Sequence, residues 1–252
     1  MKKLFLLMVL ALGCLNAMAQ DEAEFTADRP GASTGPSLVG HGVIQLEQGV
    51  QYEGTDGYGT YTFSNTLLRY GLFPNMELRL GGDAFLYPSD GCDISYAAAF
   101  SGLSIGTKIK CFDGAGAIPA VSVLADFAVP YTASSGFNVD YLAPSLYLLF
   151  DNPVTDWLSV GYNVGAEWDG ALAQPTAFVA LCLGFSATER LGCFVESYNY
   201  FNNSLGNVYA MDFGLNWMAG KKVQLDIAAN IDLANPAQCW AISCGVAWQI
   251  NR

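Results

Sequence analysis

From residue 42 to its end the chain keeps one rhythm, apolar and polar side chains taking turns, and a period of two belongs to strands with one dry and one wet face. In "GVIQLEQGVQYE", Ile44, Leu46, Val50 and Tyr52 alternate with Gln45, Glu47, Gly49, Gln51 and Glu53. "VQLDIAANIDL" sets Val223, Leu225, Ile227 and Ile231 against Gln224, Asp226, Asn230 and Asp232. Twelve such segments follow one another, at 42–53, 60–71, 76–87, 100–111, 117–130, 139–150, 156–168, 176–187, 192–201, 207–218, 222–233 and 238–250. Each reaches the roughly 9 to 11 residues with which a tilted strand crosses a bilayer.

The connections alternate as well. "LFPN", "FDGAGA", "DNPVTD", "TERLG" and "MAGKK" are compact, whereas "YPSDGCDISYAAAFSG", "YTASSGFN", "WDGALAQP" and "NNSLGN" are longer on average. Short turns at one end, longer loops at the other and an even strand number describe an all-β chain folded as a single antiparallel transmembrane β-barrel of about 12 strands. A secreted two-sheet sandwich would alternate too, but its wet face should be studded with charge. Only 13% of this chain is charged, about half the usual share, and the wet phase is rich in Gly, Ser, Asn and Gln. Phe73, Tyr87, Tyr131, Trp157, Trp168, Tyr200, Tyr209 and Trp217 fall near segment ends, where a barrel sets amphipathic rings at headgroup depth.

Ahead of the strands, Lys2 and Lys3 precede an apolar run that ends in Ala17, Met18 and Ala19, the pattern of a secretory signal peptide. Lipidation at Cys14 is the competing reading of "LGC". The expected organisation is a signal peptide over 1–20, an extended arm over 21–40 and a barrel over 41–252. Export through the periplasm would deliver it to the outer membrane of a Gram-negative bacterium, with both termini facing the periplasm. Without Lys2 and Lys3, nine bases face 23 acids, a formal charge of −14. Such a surface repels nucleic acid, so the expected partners are outer-membrane lipid and small solutes, with a monomer as the expected state. Six cysteines remain after the leader without metal-ligand spacing; they suit small apolar positions or one or two bridges, such as Cys92 to Cys111.

Enzymatic chemistry has little to build on. His41 is the single histidine, and no HExxH, EF-hand or phosphate-cradling loop occurs, so neither a catalytic site nor a metal or cofactor is expected. The wet phase instead collects ions of both signs: Glu47, Glu77, Asp83, Asp126, Glu167, Glu196, Asp212 and Asp226 with Arg69, Arg79, Lys108 and Lys110. Charge inside a protein must be paired or hydrated, so these residues would either fill the lumen as a network or line an aqueous path that prefers cations or neutral polar solutes.

"TADRPG", then "GHGVIQLEQGVQYE", "LLRYGLFPNMELRLGG", "GLSIGTKIKCF" and "PAVSVLADFAVP", together resemble the outer-membrane channel family named after the meta-pathway of phenol degradation. The resemblance rests on Thr26, Asp28, Arg29 and Pro30 before a first strand carrying Gly40, His41, Gln45 and Glu47, then on Arg69, Glu77, Arg79 and Lys108. It implies a passive channel or transporter for small solutes, with hydrophobic or aromatic compounds suggested by the family's name; a structural barrel with a plugged lumen is the alternative. Arg29, held by the turn-forming Pro30 and Gly31, is expected to reach back to an inward acid such as Glu47 or Glu77 and to fix the arm as a partial plug or close the seam between the first and last strands; a loose, exposed arm is the alternative.

Overall fold

The computed structural model describes residues 25–55, 58–89, 95–237 and 239–250. The expected signal peptide with its cleavage site, Cys14 and Cys92 lie outside the described residues, and so does the expected Cys92–Cys111 bridge. All regular structure in the described residues is strand: β1 (Ile44–Thr55), β2 (Tyr58–Phe73), β3 (Met76–Pro88), β4 (Tyr96–Phe100), β5 (Ser104–Phe112), β6 (Ala120–Ala128), β7 (Ala143–Thr155), β8 (Leu158–Glu167), β9 (Thr176–Ser186), β10 (Leu191–Phe201), β11 (Val208–Met218), β12 (Val223–Asp232) and β13 (Cys239–Gln249). Each pairs antiparallel with its neighbours, and β1 pairs with β13 from Gln45↔Gln249 to Thr55↔Cys239, which closes the sheet into a barrel of twelve staves. β4 and β5 share the fourth stave: β4 pairs with the far half of β3 and β5 with its near half.

The alternation becomes an inside-out core. Phe213 and Ile227 are about half exposed, at 52% and 51%, whereas Arg69, Lys108 and Glu77 are fully buried. Apolar rows such as Leu146 and Leu148 on β7, or Leu225 and Ile227 on β12, form an outer band, and the polar phase turns inward. Closure through β1 and β13 pairs the strand backbone internally, which is what a lipid environment demands. An apolar belt on a closed barrel places the chain in the outer membrane.

Three expectations need correction. The fourth strand does not run unbroken over 100–111: it begins at Tyr96 and breaks at Ser101–Leu103, where Gly102 takes a positive φ of 94° that a strand cannot continue. The sixth, expected over 139–150, runs over Ala143–Thr155 as β7, because "DNPVTD" is mostly strand; Pro153 sits beside a bulge and beyond Asp151, where the pairing with β6 ends. Phe73, Trp157, Trp217, Tyr131 and Tyr209 are exposed, but Tyr87 and Tyr200 share the inward phase of Asp83 and Glu196 and pack on lumenal rings.

Candidate functional site: an arm clasped inside the barrel

The residues before β1 do not hang outside. An irregular segment inside a barrel needs partners for its backbone groups, and the wall's inward side chains supply them. Gln45 Nε2 and Arg69 Nη1 donate to the Thr26 carbonyl, at 2.8 and 3.2 Å. The Asp28 and Arg29 N–H groups donate to Glu47 on β1. Ala32 N–H donates to Asp212 of β11 at 3.1 Å, and Thr34 exchanges two bonds with Asn163 of β8, at 2.8 and 3.0 Å. Ser122 of β6 donates to the Pro36 carbonyl, Lys108 of β5 to those of Gly35 and Ser37, and Val39 N–H donates to Glu77 of β3. Gly42 then bonds to Gly71 of β2 as the chain enters β1. From Asp28 to Gly42 the arm therefore makes one circuit of the inner wall.

Asp28 is the hub of an ion network. Its carboxylate accepts two bonds from Lys108 Nζ, at 2.8 and 3.0 Å, pairs with Arg79, and lies 3.4 Å from Arg69. Burial alone would raise its pKa, but Arg69, Lys108 and Arg79 outweigh burial and hold the carboxyl far below the usual carboxylate range. Arg69 in turn grips Glu77 through two nitrogens, at 2.8 and 2.9 Å, and Glu47 through a third at 2.9 Å.

Arg29 meets neither Glu47 nor Glu77 with its side chain. Its guanidinium reaches across the seam between the first and last strands to Asp226 on β12, at 3.1 and 3.3 Å, and donates to Asn65 on β2 at 2.9 Å. It lies on Gly49 and Gly245, which face each other across β1 and β13; a methyl group at either position would overlap it. Glu47 receives the arm's backbone instead. The Arg29–Pro30 peptide is cis.

The other charged residues are scattered around this centre. Asp83 accepts from Asn65 at 2.8 Å, Asp126 lies 3.5 Å from Arg79, Glu167 accepts from the Tyr147 hydroxyl, and Glu196 lies against Gly31. Lys110 stands apart at the end of β5 with Asp113, and His41 is exposed at the strand entry. A search of the sequence for charge overlooks the neutral clasps: Asn65, Ser122, Asn163 and Gln224 bind the arm as directly as the ions do. Their place on the wet phase was the available signal. Beyond the arm remain a cavity of about 560 Å³, lined in part by Asp28, Arg79, Asp83, Ser101, Ser104 and Asp126, and a smaller one of about 220 Å³.

Solved barrels share this architecture at low sequence identity. The COG4313 outer membrane channel from Pseudomonas putida F1 superposes with a TM-score of 0.64 at 11% identity, covering 88% of this chain and 99% of that one. The KdgM porin in complex with disordered oligogalacturonate gives 0.56 at 12% identity over 81% and 99% of the two chains, and the NanC porin 0.58 at 7% over 81% and 100%. Among curated protein sequences none matches. Residues 27–250 match the model of the family described as "Putative MetA-pathway of phenol degradation", and the chain belongs to that family.

Proposed function

We propose that the protein is a passive channel for small solutes whose lumen is narrowed by its own N-terminal arm. The observation that carries this reading is the arm's circuit of the inner wall, held by side chains that would otherwise face water, with open volume beyond it. A segment fixed by many separate side-chain bonds can be released stepwise, whereas a fully packed apolar core cannot. The charged and polar inward residues, from Glu47, Arg69, Glu77 and Arg79 to Asp83, Lys108, Lys110, Asp126, Glu167, Glu196, Asp212 and Asp226, line the lumen in this reading, and Thr26, Asp28, Arg29 and Pro30 anchor the arm. Acids outnumber bases among them, so cations and neutral polar molecules are favoured over anions. This differs from the KdgM porin, whose structure is in complex with oligogalacturonate, a chain of acidic sugars. For flat aromatic solutes, support comes from lumenal rings on two sides: Phe85 and Tyr87 beside Phe137, and Tyr147, Phe178 and Tyr200 opposite.

The same clasps favour a second reading, a structural barrel permanently plugged. Planar-bilayer recording of the purified mature protein separates the two. Discrete current steps with a cation-directed reversal potential are expected for the channel. Silence at every voltage, persisting after the arm's anchors are removed, would leave the structural barrel.

A further inference from the structure

The ion network occupies one side of the lumen only. All inward bases of the strands lie on β2, β3 and β5, as Arg69, Arg79, Lys108 and Lys110. The opposite wall carries Glu167 on β8, Glu196 on β10 and Asp212 on β11, and among the described residues none of the three has a base within 4.0 Å. Glu196 and Asp212 are direct cross-strand neighbours. Asp212 is 4% exposed; its Oδ2 takes the Ala32 N–H, but its Oδ1 is buried without a hydrogen-bond partner. That carboxylate lines the cavity of about 220 Å³, together with Tyr198, Tyr200, Asn230 and the arm at Pro30 and Gly31.

The rings complete a recognisable chemistry. Tyr198 and Tyr200 stand at 83° with centroids 6.2 Å apart, so they form an aromatic corner, and Phe178 backs Tyr200 at 5.0 Å. Two rings set at right angles that line one cavity with a carboxylate lacking a base suit a cation with an apolar coat. An alkali ion would have to exchange water for a single carboxylate and two rings, and a divalent metal would want six or more oxygens. Anions are disfavoured by the Asp212 carboxylate. We propose that this recess binds small organic ammonium cations, of the alkylammonium or quaternary ammonium class, with Asp212 as the counter-ion and Tyr198 and Tyr200 as the aromatic contact. The proposal rests on the channel reading for its place along a solute path, and adds to it a solute class.

Binding can be measured apart from conduction. Choline chloride is titrated by calorimetry into the folded, detergent-solubilised mature protein at low salt, with potassium chloride as the matched control. Saturable choline binding is expected, weakened about tenfold by Asp212→Asn and by Tyr198→Leu or Tyr200→Leu, with each variant's fold checked by its heat-modifiable gel migration. Heats no larger than dilution overturn the proposal. So does displacement of choline by an equal concentration of potassium, or unaltered affinity in both tyrosine variants, since either would reduce the recess to a bare acid. Should Asp212→Asn fail to fold, the tyrosine variants and potassium competition still decide. Choline binding in a protein that passes no current would refute the channel and keep the site; current without choline binding would do the reverse.

Discussion

Arg29 shows how much of the arm's hold sits in one side chain. Its fork makes two bonds to Asp226 and one to Asn65, in a position open only because Gly49 and Gly245 have no side chains. Breaking a buried charge pair by removing one partner costs about 3 kcal/mol, so Arg29→Met should raise the undocked fraction of the arm on the order of a hundredfold. Larger or more frequent current steps and faster proteolysis of the N-terminal segment are expected, with gel migration of the folded barrel unchanged. Arg29→Lys should restore only part of the contact, because a point charge cannot reproduce the fork. Gly245→Ala provides an independent check: it keeps every charge but fills the guanidinium's seat, and it should resemble Arg29→Met. An arm equally protected in all three variants would remove the anchoring role. Asp28 adds a pH dependence. Its folded pKa lies below the unfolded one, so its stabilisation is complete above about pH 4, the unfolded carboxylate range, and is lost as pH falls from there. Protection of the arm should therefore hold from about pH 8 to 5 and weaken only in stronger acid, a profile that Asp28→Asn should flatten. That an arginine in "TADRPG" seeks an acid was legible in the sequence. Which acid was not, because the partner depends on where the arm crosses the seam, and Asp226 lies 197 positions away.

At the scale of elements, the regular strands were legible and the irregular ones were not, for a shared reason. Period two is a property of each strand alone, so β1, β9 or β12 can be read locally. The break between β4 and β5 is a property of the sheet: β5 has β6 beside it, whereas the far edge of β4 is met by the β6–β7 loop. There Phe100 N–H donates to Ser134 Oγ at 2.9 Å, Ser134 N–H to the Phe100 carbonyl at 3.0 Å, and Leu103 N–H to Thr132 Oγ1 at 2.9 Å. Gly102 makes that join. Its φ of 94° is unfavourable for any side chain, and a Cβ would come within 3.0 Å of Thr132 Oγ1. Gly102→Ala should cost about 1–3 kcal/mol, read as a lower temperature of heat-modified migration and quicker external proteolysis between residues 129 and 142. Wild-type behaviour on both measures would mean that the loop does not depend on this backbone shape. Pro153 misleads in the opposite direction. Proline ordinarily marks a turn, yet a bulge absorbs it and β7 continues to Thr155.

For the molecule as a whole, barrel and arm are separable in a way their shared ion network conceals. Every strand except β4, whose far edge meets the β6–β7 loop, pairs with strands on both sides, and none of those ladders passes through residues 26–37. Register is set by the outer apolar phase, since a one-residue slip would turn Asp212 or Asp226 toward lipid and Phe213 or Ile227 inward. Removal of residues 26–37 is therefore expected to leave a folded, heat-modifiable barrel. The lumen would change far more. Arg69, Arg79 and Lys108 would lose Asp28 and the arm carbonyls, yet Glu47, Glu77 and Asp126 remain beside them, so that wall stays near balance once water enters. The opposite wall keeps Glu167, Glu196 and Asp212 without a base. The shortened protein should conduct more than the native one in planar bilayers, and in a potassium chloride gradient its reversal potential should still lie toward cations, less steeply at high salt because exposed charge is screened. Conductance equal to that of the native barrel would show that the arm does not limit passage, and a reversal potential toward anions would show that the three bases, rather than the acidic wall, govern the open lumen.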